Sequence, residues 1–88
     1  MDEQEHIIDP HQALLMLEVR LDASRDTRPH FADGTWEAWR EIIAKVRELR
    51  ATLNTTNDVP TQREKALDVA AECLRFAMGE HLADKVRR

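Results

Sequence analysis

The amino-acid sequence predicts an all-α fold, and three observations support this: a helix-favouring composition, apolar residues at helical spacing and clear helix-boundary signals. The 88 residues include two glycines, three prolines and no tyrosine, so few residues interrupt helices. We expect helices at about 10–23, 35–53 and 61–86, which together form a three-helix bundle. Helices 2 and 3 are joined by a short loop and should form an antiparallel hairpin, on which the N-terminal helix packs.

Each predicted helix begins at a recognisable capping sequence. Residues 9–12 place an aspartate before a proline at the first helical position, with a glutamine three residues after the aspartate. Thr35 follows an Asp-Gly pair and is expected to cap helix 2. Thr61 and Glu64 have the spacing of a capping box for helix 3.

The length of the chain limits it to a single helical domain, residues 1–88, in which residues 1–8 are expected to form an acidic, flexible N-terminus. A chain of this size buries only about 60 to 65% of its unfolded surface. Such a domain is marginally stable unless its helices pack closely or it associates with another chain. We therefore expect an oligomer.

The charge of the chain argues against several classes of function. A formal net charge of -4 has the wrong sign for a domain that binds nucleic acid by neutralising phosphates. A helix-turn-helix DNA reader would also need a tighter connection between helices 2 and 3. No apolar run is long enough for a membrane span or a signal peptide. The single cysteine, Cys73, is compatible with a reducing cytoplasm, where we expect the protein to reside.

Helices 2 and 3 each carry an apolar stripe of the kind that faces a core. The stripe of helix 2 comprises Trp36, Trp39, Ile42, Ile43, Val46, Leu49 and Leu53. The apolar arc of helix 3 contains a strip of small residues that lets another helix approach closely: Ala66, Ala70, Cys73 and Ala77. Polar residues lie opposite this arc: Lys65, Asp68, Glu72 and Arg75. We interpret Cys73 as a core residue, and His81 as a buried histidine bonded to a side chain or a carbonyl.

Helix 1 differs because it is apolar on two opposite sides. One stripe suits docking on the hairpin and contains Ala13, Leu14, Leu17 and Leu21. A second stripe contains Leu15, Met16, Val19 and Ala23. Either the 24–34 loop with Phe31 covers this second stripe, or the stripe pairs with another subunit or a target protein. We favour association, which predicts a protein interface at these four residues.

The titratable residues form no recognisable active site. His6, Asp9 and His11 lack the closed ligand set of a metal site. His30 and Asp33 have no nucleophile in a recognisable context, so we interpret them as a local turn. There is no glycine-rich phosphate loop. The sequence therefore predicts a protein that is not an enzyme and that has no catalytic residue, cofactor or metal.

One edge of helix 2 has the residue types of an anion or nucleotide site. Arg40, Arg47 and Arg50 flank Trp36 on the helical wheel. Guanidinium groups bind phosphate through paired hydrogen bonds, and an indole ring can stack on a base. These four residues are the predicted ligand site if the protein binds a nucleotide.

Part of helix 3 resembles a known family. Residues 60–67 read Pro-Thr-Gln-Arg-Glu-Lys-Ala-Leu, and Phe76 and Ala77 follow. This pattern resembles the second long helix of small phage proteins that sequester cyclic oligonucleotide signals of bacterial immunity. The resemblance implies a helical hairpin that oligomerises and encloses a nucleotide. The sequence departs from the family where the aromatic residue comes earlier and where Glu72-Cys73 replaces an acidic pair.

These observations together predict a small, non-enzymatic interaction or regulatory protein. Its mechanism would be helix-mediated association with itself, as a homodimer or higher oligomer, or with a protein target. The alternative is a phage-type helical protein that sequesters a nucleotide or cyclic oligonucleotide signal at the arginine-rich edge.

Overall fold

A computed structural model describes residues 6–82 as an all-helical chain of three helices, with no strand in that range. The helices are α1 (Pro10–Thr27), α2 (Thr35–Thr55) and α3 (Val59–Ala77), and a short 3₁₀ turn follows at Glu80–Leu82. The predicted all-α class is confirmed. The predicted flexible N-terminus lies outside the described residues at positions 1–5, and the predicted last turn of helix 3 lies outside them at positions 83–86.

Helix α1 begins at its predicted cap and ends later than predicted. The Asp9 carboxylate accepts a hydrogen bond from the Gln12 amide at 2.8 Å, and Pro10 occupies the first turn. The helix continues to Thr27 instead of ending near residue 23. Tertiary contacts account for the extra turn, because Ser24 and Arg25 both bond to the C-terminal half of the α3 region.

The other two helices begin at caps that differ from the predicted ones. Gly34, not Thr35, is the N-cap of α2, and it provides no side-chain hydrogen bond. Helix α3 is capped by Asp58, whose carboxylate accepts from the Thr61 amide at 3.2 Å. Thr61, which was predicted to be the capping residue, instead donates its backbone amide to the Asp58 cap.

Helix α3 also ends earlier than the sequence predicts. The predicted helix runs to about residue 86, whereas α3 ends at Ala77 with Met78 as its C-cap. Gly79 then adopts a φ of 78°, in the left-handed region that favours glycine. His81, which the wheel places on helix 3, belongs instead to the 3₁₀ turn.

The three helices pack with α3 in the centre. Helices α1 and α2 each pack along α3 rather than chiefly on each other. Arg20 pairs with Asp68, and Ser24 bonds to Glu72 one turn later in both helices, which fits a parallel α1 and α3. The contacts between α2 and α3 fit an antiparallel pair. Glu48 of α2 pairs with Lys65 of α3. Earlier in α2, Glu41 is joined to Glu72, later in α3, by Arg28, which pairs with both. These contacts fit a bundle.

The hydrophobic core is small. Its buried apolar residues, in the described range, are Leu21, Phe31, Ala32, Ala38 and Ala71. Two assignments from the wheel are wrong in part. Leu14 is 62% exposed. The fully buried residue of α2 is Ala38, whereas its apolar stripe is half-buried at Ile42, Ile43 and Leu49 and exposed at its other four positions. The reason is geometric, because each outer helix meets α3 along one narrow side and a wide apolar arc extends beyond that contact.

Candidate interaction surface

Large apolar side chains are exposed on α1, on α2 and in the segments that flank α1 and α3. Those that are exposed are Ile7, Leu14, Leu15, Val19, Trp36, Trp39, Val46, Leu53, Met78 and Leu82. Large exposed apolar patches on soluble proteins commonly mark interaction sites. We treat this surface as the candidate functional site.

The second stripe of α1 forms one part of it. Leu15 and Ala23 are exposed, Val19 is 65% exposed, and Met16 is half-buried. Met16 and Val19 line a shallow, mostly apolar pocket with Leu67 of α3. The 24–34 loop does not cover the stripe, because its Phe31 packs elsewhere, in a buried cluster with Ala32 and Ala38.

The predicted arginine edge of α2 is also on the surface. Trp36 is 76% exposed, and Arg40, Arg47 and Arg50 are exposed. A shallow depression is lined by Trp39, Arg40, Ile43 and Arg47. The structure thus brings two of the predicted arginines together beside Trp39, whereas Trp36 and Arg50 lie outside the lining of that depression.

A strip of small residues on α3 completes the exposed surface. Ala66, Cys73 and Ala77 are exposed and Ala70 is half-buried. The interpretation of Cys73 as a core residue is therefore wrong. The strip is accessible because the opposite, polar side of α3 faces the interior.

The polar side of α3 faces a buried cluster of ion pairs, which the sequence did not predict. Arg75 is 0% exposed and Glu72 is 1% exposed. The Arg75 guanidinium donates to Glu80 Oε1 at 2.8 Å, to the Ser24 carbonyl at 3.2 Å and to the Pro29 carbonyl at 3.4 Å. It also lies 4.9 Å from the centroid of the Phe31 ring. Every one of these contacts joins the C-terminal end of α3 to other parts of the chain.

Arg28 extends the cluster to α2. Its guanidinium pairs with Glu72 and also with Glu41 at 2.7 Å. The Ser24 hydroxyl donates to the same Glu72 oxygen at 3.2 Å, whereas the other oxygen, Oε2, is buried without a partner. One arginine beyond the C-terminal end of α1 therefore holds α2 and α3 at a fixed distance.

The Glu80 carboxylate accepts hydrogen bonds from two arginines at the edge of the cluster. Arg25 pairs with one carboxylate oxygen and Arg75 with the other. Burial by itself would raise the pKa of Glu80, but the hydrogen bonds and charges of the two arginines outweigh it, so the pKa lies below its ordinary value. In the neighbouring pair, the hydrogen bond to Asp68 raises the pKa of Arg20.

Two of the histidines occupy structural positions. His81 is buried and stacks on Phe76 with ring centroids 4.4 Å apart, and no hydrogen-bond partner faces its Nδ1 atom. His30 Nε2 lies 2.6 Å from Asp33 Oδ1 on an exposed turn. Within residues 6–82, no three potential ligands lie close enough to hold a metal ion.

The chemistry available on the surface is that of binding by apolar contact and by arginine. None of the helices in the described range is both long enough and apolar enough to cross a membrane. No protein-family model, curated protein or solved structure matches the chain.

Proposed function

We propose that this chain is a non-enzymatic interaction or regulatory protein that acts by helix-mediated protein association. The observation that carries the proposal is the distribution of apolar residues: ten large ones are exposed, whereas Leu21 and Phe31 are the large ones among the buried set. A chain that leaves so much apolar surface in water gains stability when a partner covers that surface.

The size of the effect is estimated from the exposed fractions. Fully burying a large apolar side chain contributes about 1.5 to 3 kcal/mol, so a half-exposed one retains about 1 kcal/mol. Ten such side chains represent roughly 10 kcal/mol, which is comparable to the whole stability of a small domain. Covering even half of them would offset much of the cost of association.

The second stripe of α1 supplies the first test. Leu15→Glu with Val19→Glu places two carboxylates on an exposed apolar surface without disturbing a buried group. A matched control is Ala44→Glu with Ala51→Glu, which adds the same charge to exposed positions of α2. Sedimentation equilibrium over a wide concentration range should show assemblies of the wild type and the control, and a smaller assembly or weaker association for the stripe variant.

Circular dichroism of the same samples checks the fold. Helicity should be unchanged in both variants, because the substituted side chains are exposed. Loss of helix in the stripe variant alone would show that the stripe is core. A wild-type chain that sediments as a 10.2 kDa monomer at every concentration would refute association of the chain with itself.

A second candidate function is nucleotide binding at the arginine edge of α2. It is favoured by the depression in which Trp39 lies beside Arg40 and Arg47. Neither arginine forms an ion pair with another residue of the described range. Mono-, di- and cyclic nucleotides should raise the melting temperature of the wild type but not of Arg40→Gln with Arg47→Gln. No shift with millimolar nucleotide would exclude this function.

A further inference from the structure

We propose that a second copy of this chain binds the face of the molecule formed by the small-residue strip of α3 and the apolar edges of α1 and α2. This inference rests on the proposed function, names its partner and adds a second contact surface, on a different side of α1 from the second stripe. We call this surface the apolar face; it contains Leu14 on α1, Ala66, Ala70, Cys73 and Ala77 on α3, and Trp39, Val46 and Leu53 on α2.

The two sides of α3 have opposite characters. Asp68, Glu72 and Arg75 point to the side where Arg20, Ser24 and Arg28 meet them. At 100° per residue, the strip of small residues lies on the opposite side of the helix. The exposure of Ala66, Cys73 and Ala77 agrees with this geometry.

The outer helices turn apolar edges to the same side as the strip. Glu41 and Glu48 of α2 lie on the polar side, where they pair with Arg28 and Lys65. Trp39, Val46 and Leu53 lie on the wheel opposite those glutamates, and they are 51%, 39% and 52% exposed. On α1, Leu14 lies opposite Ala23, which borders the polar pocket between the helices. The apolar face therefore draws residues from all three helices, with Leu14 as the contribution of α1.

One side of the helical layer is large enough for a dimer interface. The molecule is flat, with dimensions of 55 × 27 × 18 Å, and its helices are about 28 Å long at 1.5 Å per residue. One side of the layer therefore presents roughly 750 Å². A standard interface takes about 800 Å² from each partner.

Charge complementarity favours a second copy over an unrelated protein. The edge of α1 next to the apolar face carries Glu18 and Asp22, and the corresponding edge of α2 carries Arg40, Arg47 and Arg50. None of these five charges forms an ion pair inside residues 6–82. One chain thus carries both halves of a complementary pair of edges.

The register of the helices aligns these edges. The contacts Arg20–Asp68 and Ser24–Glu72 place Glu18 level with Ala66. The contact Glu48–Lys65 places Arg47 at that same level. A two-fold axis parallel to the helices lays α1 of each chain over α2 of the other, so Glu18 of one copy comes within a helical turn of Arg47 and Arg50 of the second copy.

The same axis places the two α3 helices against each other at equal height. Small residues allow two helices to approach to about 8 Å. Cys73 therefore faces Cys73 of the second copy, whereas a thiol at position 44, on the outer side of α2, would not face its counterpart. Cys73 thus serves as a probe of this geometry.

The first experiment is cross-linking with a short bis-maleimide, which joins two thiols as thioethers. The wild type should give a covalent dimer in high yield at dilute protein. The control is Cys73→Ala with Ala44→Cys, which should give little dimer. Equal yields from the two proteins would overturn the proposal.

The second experiment reverses the charges. Glu18→Arg, or Arg47→Glu with Arg50→Glu, should weaken dimerisation about tenfold, because each reversal acts twice in a symmetric interface. All three substitutions together should restore it, and failure to restore it would refute the register. If cross-linking fails while Leu15→Glu with Val19→Glu still dissociates the assembly, this face is excluded and the proposed function stands. A monomeric wild type would refute both this face and the association of the chain with itself.

Discussion

Replacing the buried Arg75 should be strongly destabilising, and the structure provides the magnitude. Arg75→Met keeps most of the volume of the side chain but removes its bond to Glu80, its bonds to two backbone carbonyls and its contact with the Phe31 ring. Breaking a buried ion pair costs about 3 to 5 kcal/mol, and here Arg75 is buried whereas the Glu80 side chain is 22% exposed. Arg25 still pairs with Glu80, so the carboxylate keeps one partner and we expect the lower value, about 3 kcal/mol.

Arg25→Met is the matched control, because it removes the other arginine from the same carboxylate. The Arg25 side chain is 42% exposed, and an ion pair in such a position contributes about 0 to 1 kcal/mol. Both variants lose one positive charge near Glu80. They differ in the burial of the arginine and in the carbonyl bonds and ring contact that Arg75 makes.

The measurement is urea or thermal unfolding followed by circular dichroism at one fixed protein concentration. Arg75→Met should lower the melting temperature by about 15 °C, and Arg25→Met by a few degrees. Equal, small losses for the two variants would refute the reasoning that burial of Arg75 makes the cluster a structural centre.

Three further predictions follow from local features. The pKa of Glu80 is depressed in the folded chain, so the stability that this group contributes is present above its ordinary pKa of 4.5 and is lost as the pH falls through the folded value. Glu80→Gln should therefore flatten the acid limb of a curve of unfolding free energy against pH. An unchanged limb would contradict this. Gly79→Ala should cost about 1 kcal/mol in chemical unfolding, because the added Cβ finds space, 4.0 Å from Leu82 Cδ1, but the φ of 78° disfavours alanine. Asp58→Ala should cost about 1 kcal/mol through loss of the α3 cap, whereas Asp58→Asn should cost little.

The local features of the fold could be predicted from the sequence, because they depend on neighbouring residues. The cap at Asp9 required only Pro10 and Gln12 beside it. The predicted start of α3 lies two residues after the observed one, because Asp58 and Thr61 are both residue types that cap helices and the sequence does not show which of them does so. Such errors are small because competing caps lie within one turn.

The side of α3 that faces inward could not be predicted in the same way. A helical wheel assigns charged residues to solvent, and Glu72 and Arg75 are charged. Their partners, Arg28 and Ser24, are more than forty residues away in the chain. Only the tertiary fold brings these partners together, so no pattern local to residues 59–77 indicates that the polar side is buried.

This inversion of α3 links the buried cluster to the proposed association. Once Glu72 and Arg75 occupy the inner side of α3, the small residues Ala66, Cys73 and Ala77 must face outward. Ion pairs in the interior fix geometry but contribute little net stability, because desolvation offsets their attraction. The chain therefore buries a polar cluster that fixes its geometry and leaves ten large apolar side chains of the described range exposed, where contact with another molecule can cover them. Folding and association of this protein should be thermodynamically coupled for that reason.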